Sequence, residues 1–242
     1  LMSSFESSIK ERLIVCFGGR EKLYKFLGRI YEKEVDEQLI KECIIRKELF
    51  LKCNLIREVD ADIMEGFMEL YKYLNGLKVG NLNEIILELA VDYANLFLGV
   101  KYFREKKGIP HPSESVYLTG NMLSEEETIS EIYLEAGLIK SPEFKEPYDH
   151  IALQLYFMAH LCKKAIDFVK SGNLQDLLRN LQMQKSFLSE HVLKWVPKFA
   201  GDVIENSETS FYKAIGKITR GLICMEKDVI EEIIEQAKKL LL

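Results

Sequence analysis

The sequence predicts an all-α protein, a single helical bundle of about ten helices. Three observations predict it. Nearly every segment of the 242 residues repeats apolar side chains at three- and four-residue spacing. Glycine and proline mostly punctuate those segments, and no run alternates β-branched with polar residues as a half-buried strand does.

The elements follow in order. Phe5, Ile9, Leu13 and Cys16 mark a first amphipathic helix, which Gly18-Gly19 is expected to end. Leu23, Leu27, Ile30 and Tyr31 mark a second. Asp36 suits the N-cap of a third, with Leu39, Ile40, Cys43 and Ile44 inward. Ile63, Phe67, Leu70, Tyr71, Leu74 and Leu77 keep helical spacing for four turns before Gly80. Leu82, Ile86, Leu89, Ala90, Tyr93 and Phe97 make a fifth helix closed by Gly99. From Gly99 to about Leu123 runs the longest irregular segment, with Gly108, Pro110, Pro112 and Gly120 in it. A loop that long in a compact domain is more often functional than idle. Ser124 and Glu127 form a capping box for a short helix that stops at Gly137. Residues 138–146 read as a hinge between an N-terminal half (about 1–137) and a C-terminal half (147–242) of one domain spanning 1–242.

In the second half, Glu146 sits at or just before a helix cap and Pro147 fits the first helical turn, since proline has no N–H to lose there. That places Asp149 and His150 at the mouth of a helix that is apolar on nearly every side from Ile151 to Lys163, as a central rod is. Gly172-Asn173 stops it and starts the next, which runs through Leu174, Leu177, Leu178, Leu181 and Leu188. Pro197 resets the chain, and the last helix extends from about Ser207, weakened locally by Gly216 and Gly221.

Composition narrows the function classes. With 48% hydrophobic and 29% charged residues and five prolines, the chain is globular rather than disordered. No apolar run approaches the roughly 18–20 residues of a membrane span, and no secretory leader is legible, so a cytoplasmic protein without membrane insertion is expected. The net charge of −5 disfavours nucleic acid and tolerates a basic partner. Five cysteines form no C-x-x-C pair, and His111, His150, His160 and His191 show no metal-ligand spacing, so neither a disulfide framework nor a metal or other cofactor is expected. Phosphate-cradling glycine loops are absent, as is the Glu-x-x-His pattern of di-iron bundles.

What remains is the helix mouth. Glu146, Asp149 and His150 could receive a cationic group, and carboxylates pair bidentately with an arginine guanidinium. Tyr93, Phe97 and Tyr117 are candidates to line an apolar groove beside it. On residue chemistry alone the plainer alternative is that Asp149 caps its helix and His150 bonds a loop carbonyl. Two further readings are a helical enzyme using Asp149 and His150 in acid–base chemistry, though neighbouring helical residues point about 100° apart, and a purely structural interaction module.

Four blocks in order carry a resemblance: Asp92-Tyr93-Ala94-Asn95-Leu96-Phe97, Ser113-Glu114-Ser115-Val116-Tyr117, Glu146-Pro147-x-Asp149-His150, and Phe187-Leu188-x-x-His191-Val192-x-x-Trp195-x-Pro197-x-Phe199 followed by Phe211-Tyr212. They resemble the TorD/DmsD family of cytoplasmic redox-enzyme maturation chaperones. The first 80 residues match only in being helical. The resemblance implies a non-enzymatic, all-helical chaperone. Its partners would be the apo catalytic subunit of a molybdopterin oxidoreductase and that subunit's twin-arginine signal peptide. It would assist cofactor insertion and prevent premature export, as a monomer or as a dimer exchanging halves at the hinge. Carried over by position, the signal-peptide site comprises Glu146, Pro147, Asp149 and His150, lined by Tyr93, Phe97, Pro112, Ser115 and Tyr117. Two positions depart from the family pattern: Ser113-Glu114 where an aromatic residue is frequent, and Gln154 where a glutamate is frequent.

Overall fold

Helix α1 (Met2–Glu32) runs 31 residues without a break where two helices were expected. A computed structural model describes residues 2–50, 60–77, 81–99, 110–119 and 126–241 of the chain. Gly18-Gly19 does not end α1, although each glycine costs a helix about 1 kcal/mol relative to alanine. Leu13 and Phe17 before the pair and Tyr24 and Leu27 after it are all buried on one face, so burial outweighs the local propensity.

The remaining α-helices of the described residues are α2 (Glu37–Phe50), α3 (Ala61–Gly76), α4 (Leu82–Phe97), α5 (Glu114–Leu118), α6 (Glu126–Glu135), α7 (Ile151–Ser171), α8 (Leu174–Phe187), α9 (Leu193–Asn206) and α10 (Ser210–Lys238). No strand occurs among these residues, and the all-α class holds. Punctuation mostly falls where the sequence places it. The Asp36 carboxylate accepts from the Leu39 amide at 2.9 Å. Gly99, Gly137 and Gly172 take the left-handed conformation, with φ of 71°, 76° and 72°, that ends helices at little cost to a residue without Cβ. Asn173 caps α8 through the Asp176 amide. The expected stop at Gly80 and the Ser124 capping box lie outside the described residues.

Three expectations need correction. The segment after Gly99 is not wholly irregular, since α5 forms inside it. Pro197 does not reset the chain but sits inside α9. The carbonyl it leaves without a donor is that of Leu193, where a π-helical turn (Leu188–Val192) hands over to α geometry and the hydrogen-bond ladder is already interrupted. Finally, Gly216 and Gly221 do more than weaken α10. A Cβ on Gly216 would lie 2.8 Å from Ile204 Cγ1, and one on Gly221 would lie 2.6 Å from Ile63 Cγ1, so the glycines permit close helix approach. Gly66 does the same from α3, facing Ile218 and the Ala214 carbonyl.

The chain divides into two compact units. One comprises Leu1–Arg29, Ser113–Lys194 and Met225–Leu242; the other comprises Ile30–Pro112 and Trp195–Cys224. The segment 138–146 lies inside the first unit. That unit's core gathers Phe17, Tyr24 and Leu27 of α1, Ile129 and Tyr133 of α6, the apolar body of α7, and Leu177 and Leu181 of α8. Gly28 of α1 lets the Tyr156 ring of α7 approach, because a Cβ there would meet Tyr156 Cε1 at 2.8 Å. A buried ion pair crosses this core: Arg20 Nε donates to Glu226 Oε1 at 2.8 Å, and Arg20 Nη1 donates to Gln184 Oε1 at 2.8 Å. The second unit is held by an aromatic cluster of Tyr31, Tyr93, Phe97, Phe199 and Tyr212, with ring centroids 5.0 to 6.2 Å apart.

Candidate functional site

Helix α7 begins at Ile151, four residues later than Pro147 suggests. Residues 147–150 form a turn, in which the His150 amide donates to the Pro147 carbonyl at 3.2 Å. The cap is His150: its Nδ1 accepts from the Ala152 amide at 3.2 Å. A ring nitrogen that accepts carries no proton, so in this geometry the imidazole proton sits on Nε2. The ring also packs edge-on against Phe144, centroids 5.5 Å apart. Asp149 is therefore not the cap.

Nor does Asp149 face solvent, as a carboxylate at an open helix mouth would. It is fully buried beneath the segment that opens α5. Ser113 and His150 form an isolated antiparallel bridge, and the Glu114 amide donates to the Asp149 carbonyl at 3.3 Å. The Ser115 amide donates to Asp149 Oδ2 at 2.9 Å. The physical reason for the correction is this short stretch of strand-like pairing, which covers the carboxylate and supplies a backbone donor in place of water. Coverage is incomplete chemically: Asp149 Oδ1, Ser113 Oγ and Ser115 Oγ are sealed from solvent without a hydrogen-bond partner. Three such atoms on paired segments are unusual, because buried polar groups are nearly always satisfied.

Beside them lies a second buried carboxylate, Glu114, which the sequence did not mark as a site residue. Glu114 is completely buried, its Oε1 3.0 Å from His191 Nδ1 and its Oε2 accepting from Gln154 Nε2 at 2.5 Å. With Glu114 ionised, His191 Nδ1–H is the donor. The π turn places His191: one extra residue in the turn re-phases the helix so that Phe187 and His191 both point inward, their rings 5.1 Å apart. Gln154 and Glu114 are thus matched to one another. A glutamate at 154 would set carboxylate against carboxylate, whereas the Gln154 amide gives Glu114 a donor. Tyr133 closes the cluster, donating to the Tyr148 carbonyl at 3.2 Å. Burial, and then the negative charges of Glu114 and Asp149, hold its phenol well above the ordinary tyrosine range.

The other expected residues divide. Ser115 is buried and Tyr117 half-buried in the same segment, Glu146 is exposed and Pro147 half-buried, all in the first unit. Tyr93, Phe97 and Pro112 belong to the second unit and are buried there. Tyr93 donates its hydroxyl to the Tyr31 carbonyl at 3.1 Å, and Phe97 packs edge-on against Tyr31 at 5.6 Å. They are core residues rather than an open lining, because helical spacing turned them toward the aromatic cluster. Asp92, the first residue of their block, is buried too. It accepts from the Glu208 and Thr209 amides and from Thr209 Oγ1 at 3.1, 2.8 and 2.7 Å, so it caps α10 from a distance.

The arrangement does not favour acid–base chemistry. Asp149 and His150 are adjacent in sequence, yet each is committed to a different backbone amide, Ser115 and Ala152 respectively. Among the described residues no group of three or more His, Cys, Asp or Glu side chains could hold a metal ion, and no helix is long and apolar enough to cross a membrane.

Comparison with known proteins adds the following. Residues 57–201 match a family model described as nitrate reductase delta subunit. Over 219 residues the chain is 27% identical to a chaperone protein TorD of Vibrio cholerae, covering 90% of this chain and 94% of that one. A chaperone protein TorD of a Shewanella strain is 28% identical over 223 residues, 89% of this chain and 95% of its own. One from Salmonella arizonae is 31% identical over 201 residues, 83% and 86% respectively.

Proposed function

The chain belongs to the TorD chaperone family, and from that premise we propose that it binds the twin-arginine signal peptide of an apo molybdopterin oxidoreductase through the paired segments 113–115 and 146–150. Its relatives are named chaperone proteins, which supports a chaperone rather than an enzyme, and its proposed work is redox-enzyme maturation. It acts in the cytoplasm, holding the apo subunit while cofactor is inserted and releasing it for export.

The observation that carries the reading is the set of unsatisfied atoms where the 146–150 motif meets the segment that opens α5: Asp149 Oδ1, Ser113 Oγ and Ser115 Oγ. An arginine guanidinium presents five N–H donors in a planar fork and no acceptor, the complement of a carboxylate oxygen with two hydroxyl oxygens. The segment over them is anchored at its middle residue, where Glu114 is bonded to Gln154 and His191. One backbone bond, from the Glu114 amide, and one amide-to-carboxylate bond, from Ser115, join the segments directly. In the proposed mechanism the 113–115 segment lifts, giving up the Glu114 bonds to Gln154 and His191 along with its bonds to Asp149, the guanidinium takes over Asp149, and exposed Glu146 meets the second arginine. Release lets the segment close again, so the empty state is sealed rather than left as an open charged pocket.

A charge-assisted hydrogen bond contributes roughly 1.5–3 kcal/mol net. Asp149→Asn should therefore weaken binding of a synthetic twin-arginine peptide by about ten- to a hundred-fold, read by titration calorimetry with circular dichroism confirming unchanged helicity. Replacing both arginines by lysine in the peptide should weaken it similarly, since lysine keeps the charge but loses the fork. Unchanged affinity in the Asp149 variant would reject this site.

A further inference from the structure

Between Pro147 and Asp149 stands Tyr148, and its ring already holds a cation. Lys140 Nζ lies 4.4 Å from the ring centroid and donates to the Glu146 carbonyl at 2.7 Å. A cation over an aromatic face is attracted by the negative charge of the π-system. The ring is fixed from behind. Tyr133, buried in the core, donates its hydroxyl to the Tyr148 carbonyl at 3.2 Å, and the two ring centroids lie 6.3 Å apart. Ring and Glu146 carbonyl thus belong to one turn, tied down by the tyrosine that closes the Glu114 and Asp149 cluster. Lys140 arrives from the other side, three residues beyond the left-handed Gly137 that ends α6. Lys140 and Tyr148 are both half-buried, so solvent reaches the pair and a ligand can as well.

What Lys140 does here, an arginine does better. A guanidinium is planar and more weakly hydrated than an ammonium, and it stacks flat on a ring while its edge N–H groups donate sideways. A ring face beside a carbonyl oxygen suits that shape. The ammonium uses the same two partners through a single atom, and it immobilises a flexible four-carbon stem to do so. Exchanging the lysine for an arginine from a ligand returns that stem's rotamer freedom and keeps both partners engaged.

The geometry points to Tyr148 as the seat of the second arginine of the signal peptide, with Lys140 as a resident stand-in that the arginine displaces. The inference rests on the reading that residues 146–150 receive a twin-arginine signal, and it adds the source of specificity at that place. The aromatic face and the carbonyl edge together select a guanidinium over an ammonium. The chain's own lysine, competing for the same seat, raises the threshold for any weaker cation.

The test titrates the full-length chain with a fluorescein-labelled twin-arginine peptide, read by anisotropy. Lys140→Met removes the charge and keeps the stem, and should tighten binding about two- to fivefold, the scale of an exposed cation–π contact. Lys145→Met makes the same change in net charge away from the ring, at a lysine whose Nζ donates to the Pro142 carbonyl at 2.7 Å, and should leave affinity unchanged. Tyr148→Leu should weaken binding about tenfold, while Tyr148→Phe, which keeps the face, should match the parent. In the parent complex the ring current should move the side-chain methylene resonances of the second arginine upfield, and Tyr148→Leu should abolish that shift. If Tyr148→Leu loses helicity by circular dichroism, the Lys140→Met titration and the arginine resonances of the parent complex decide. Equal affinity of parent and Lys140→Met overturns the inference. So does equal tightening by Lys145→Met, because binding would then follow net charge alone. Crossing with Asp149→Asn separates the inference from the reading beneath it. Loss at Asp149→Asn with none at Tyr148→Leu keeps the signal-peptide site and removes the seat. Loss at Tyr148→Leu with none at Asp149→Asn keeps the seat and removes Asp149 from the site. A peptide bound by neither the parent nor Lys140→Met removes both.

Discussion

Asp92 and Asp149 are both sealed from solvent, both lie in the stretch that the family model matches, and the carboxylate of each accepts a backbone N–H distant in sequence. They differ in how completely they are answered. Asp92 receives three donors across its two oxygens, and the bonds secure the start of a 29-residue helix. Asp149 receives one donor on Oδ2, while Oδ1 and the hydroxyls of Ser113 and Ser115 find none. Burial alone therefore does not separate a structural carboxylate from a functional one; the count of unanswered lone pairs does. A fully answered carboxylate stabilises the fold and has nothing left to offer a ligand. An incompletely answered one costs stability and keeps valence for a guest.

The largest effect expected from this contrast is at Asp92. Asp92→Ala leaves the Glu208 and Thr209 amides and the Thr209 hydroxyl without their acceptor where water has little access. Buried unsatisfied groups cost about 1–3 kcal/mol each, and with partial relaxation the loss should be about 3 kcal/mol in urea denaturation. Asp92→Asn keeps one acceptor oxygen and should lose roughly half as much. Twin-arginine peptide binding by the still-folded fraction should be unchanged. A cost below that of the Asp149 substitution would break the comparison.

Asp149 should respond the opposite way. Asp149→Asn retains an acceptor for the Ser115 amide and replaces the unanswered oxygen with an NH2 group, so the stability change should stay within about 1 kcal/mol of either sign, even though the residue is fully buried. The same variant is the one expected to lose peptide affinity. Stability and binding thus separate at Asp149 and do not at Asp92. A loss of several kcal/mol at Asp149 would mean that its role is structural.

How far the sequence foretells this depends on the range of the interaction. Helix ends written in local chemistry are legible: Asp36 before α2, Gly137 after α6, Gly172-Asn173 between α7 and α8. The motif at 146–150 is legible as a special place, but its geometry is not, because the burial of Asp149 is imposed by Ser113–Ser115, some 34 residues earlier. Glu114, Gln154 and His191 are beyond sequence reading for the same reason. Glu114 and His191 are 77 residues apart and meet only because a π turn, which leaves no motif, re-phases one helix. Gly18-Gly19 misleads in the other direction, since a local breaker yields to burial along the whole of α1. The aromatic residues Tyr93 and Phe97 carry helical spacing in plain view, and that spacing is the signal of a core position rather than of a groove.

Asp62 supplies the mild end of the contrast: a carboxylate that is answered but only partly buried. Arg220 Nε donates to its Oδ2 at 2.6 Å and Nη2 to its Oδ1 at 3.0 Å, joining α3 to α10. The Arg220 hydrogen bond holds the Asp62 carboxyl below its ordinary range, against a smaller opposing effect of burial. A carboxyl lowered in the folded state stabilises the fold above its unfolded value, about 3.9, and that contribution disappears as pH falls through the lower folded value. Both side chains are about one-third exposed, so solvent screening keeps the pair to at most about 1 kcal/mol. Asp62→Asn should therefore cost at most about 1 kcal/mol at pH 7, and the gap between variant and parent should narrow toward zero as urea melts are repeated down to about pH 3. A gap that stays constant with pH would show the bond to be geometric rather than ionic. A gap larger than that at Asp92 would reverse the ranking, making solvent-facing ion pairs and not buried caps the principal ties of α10.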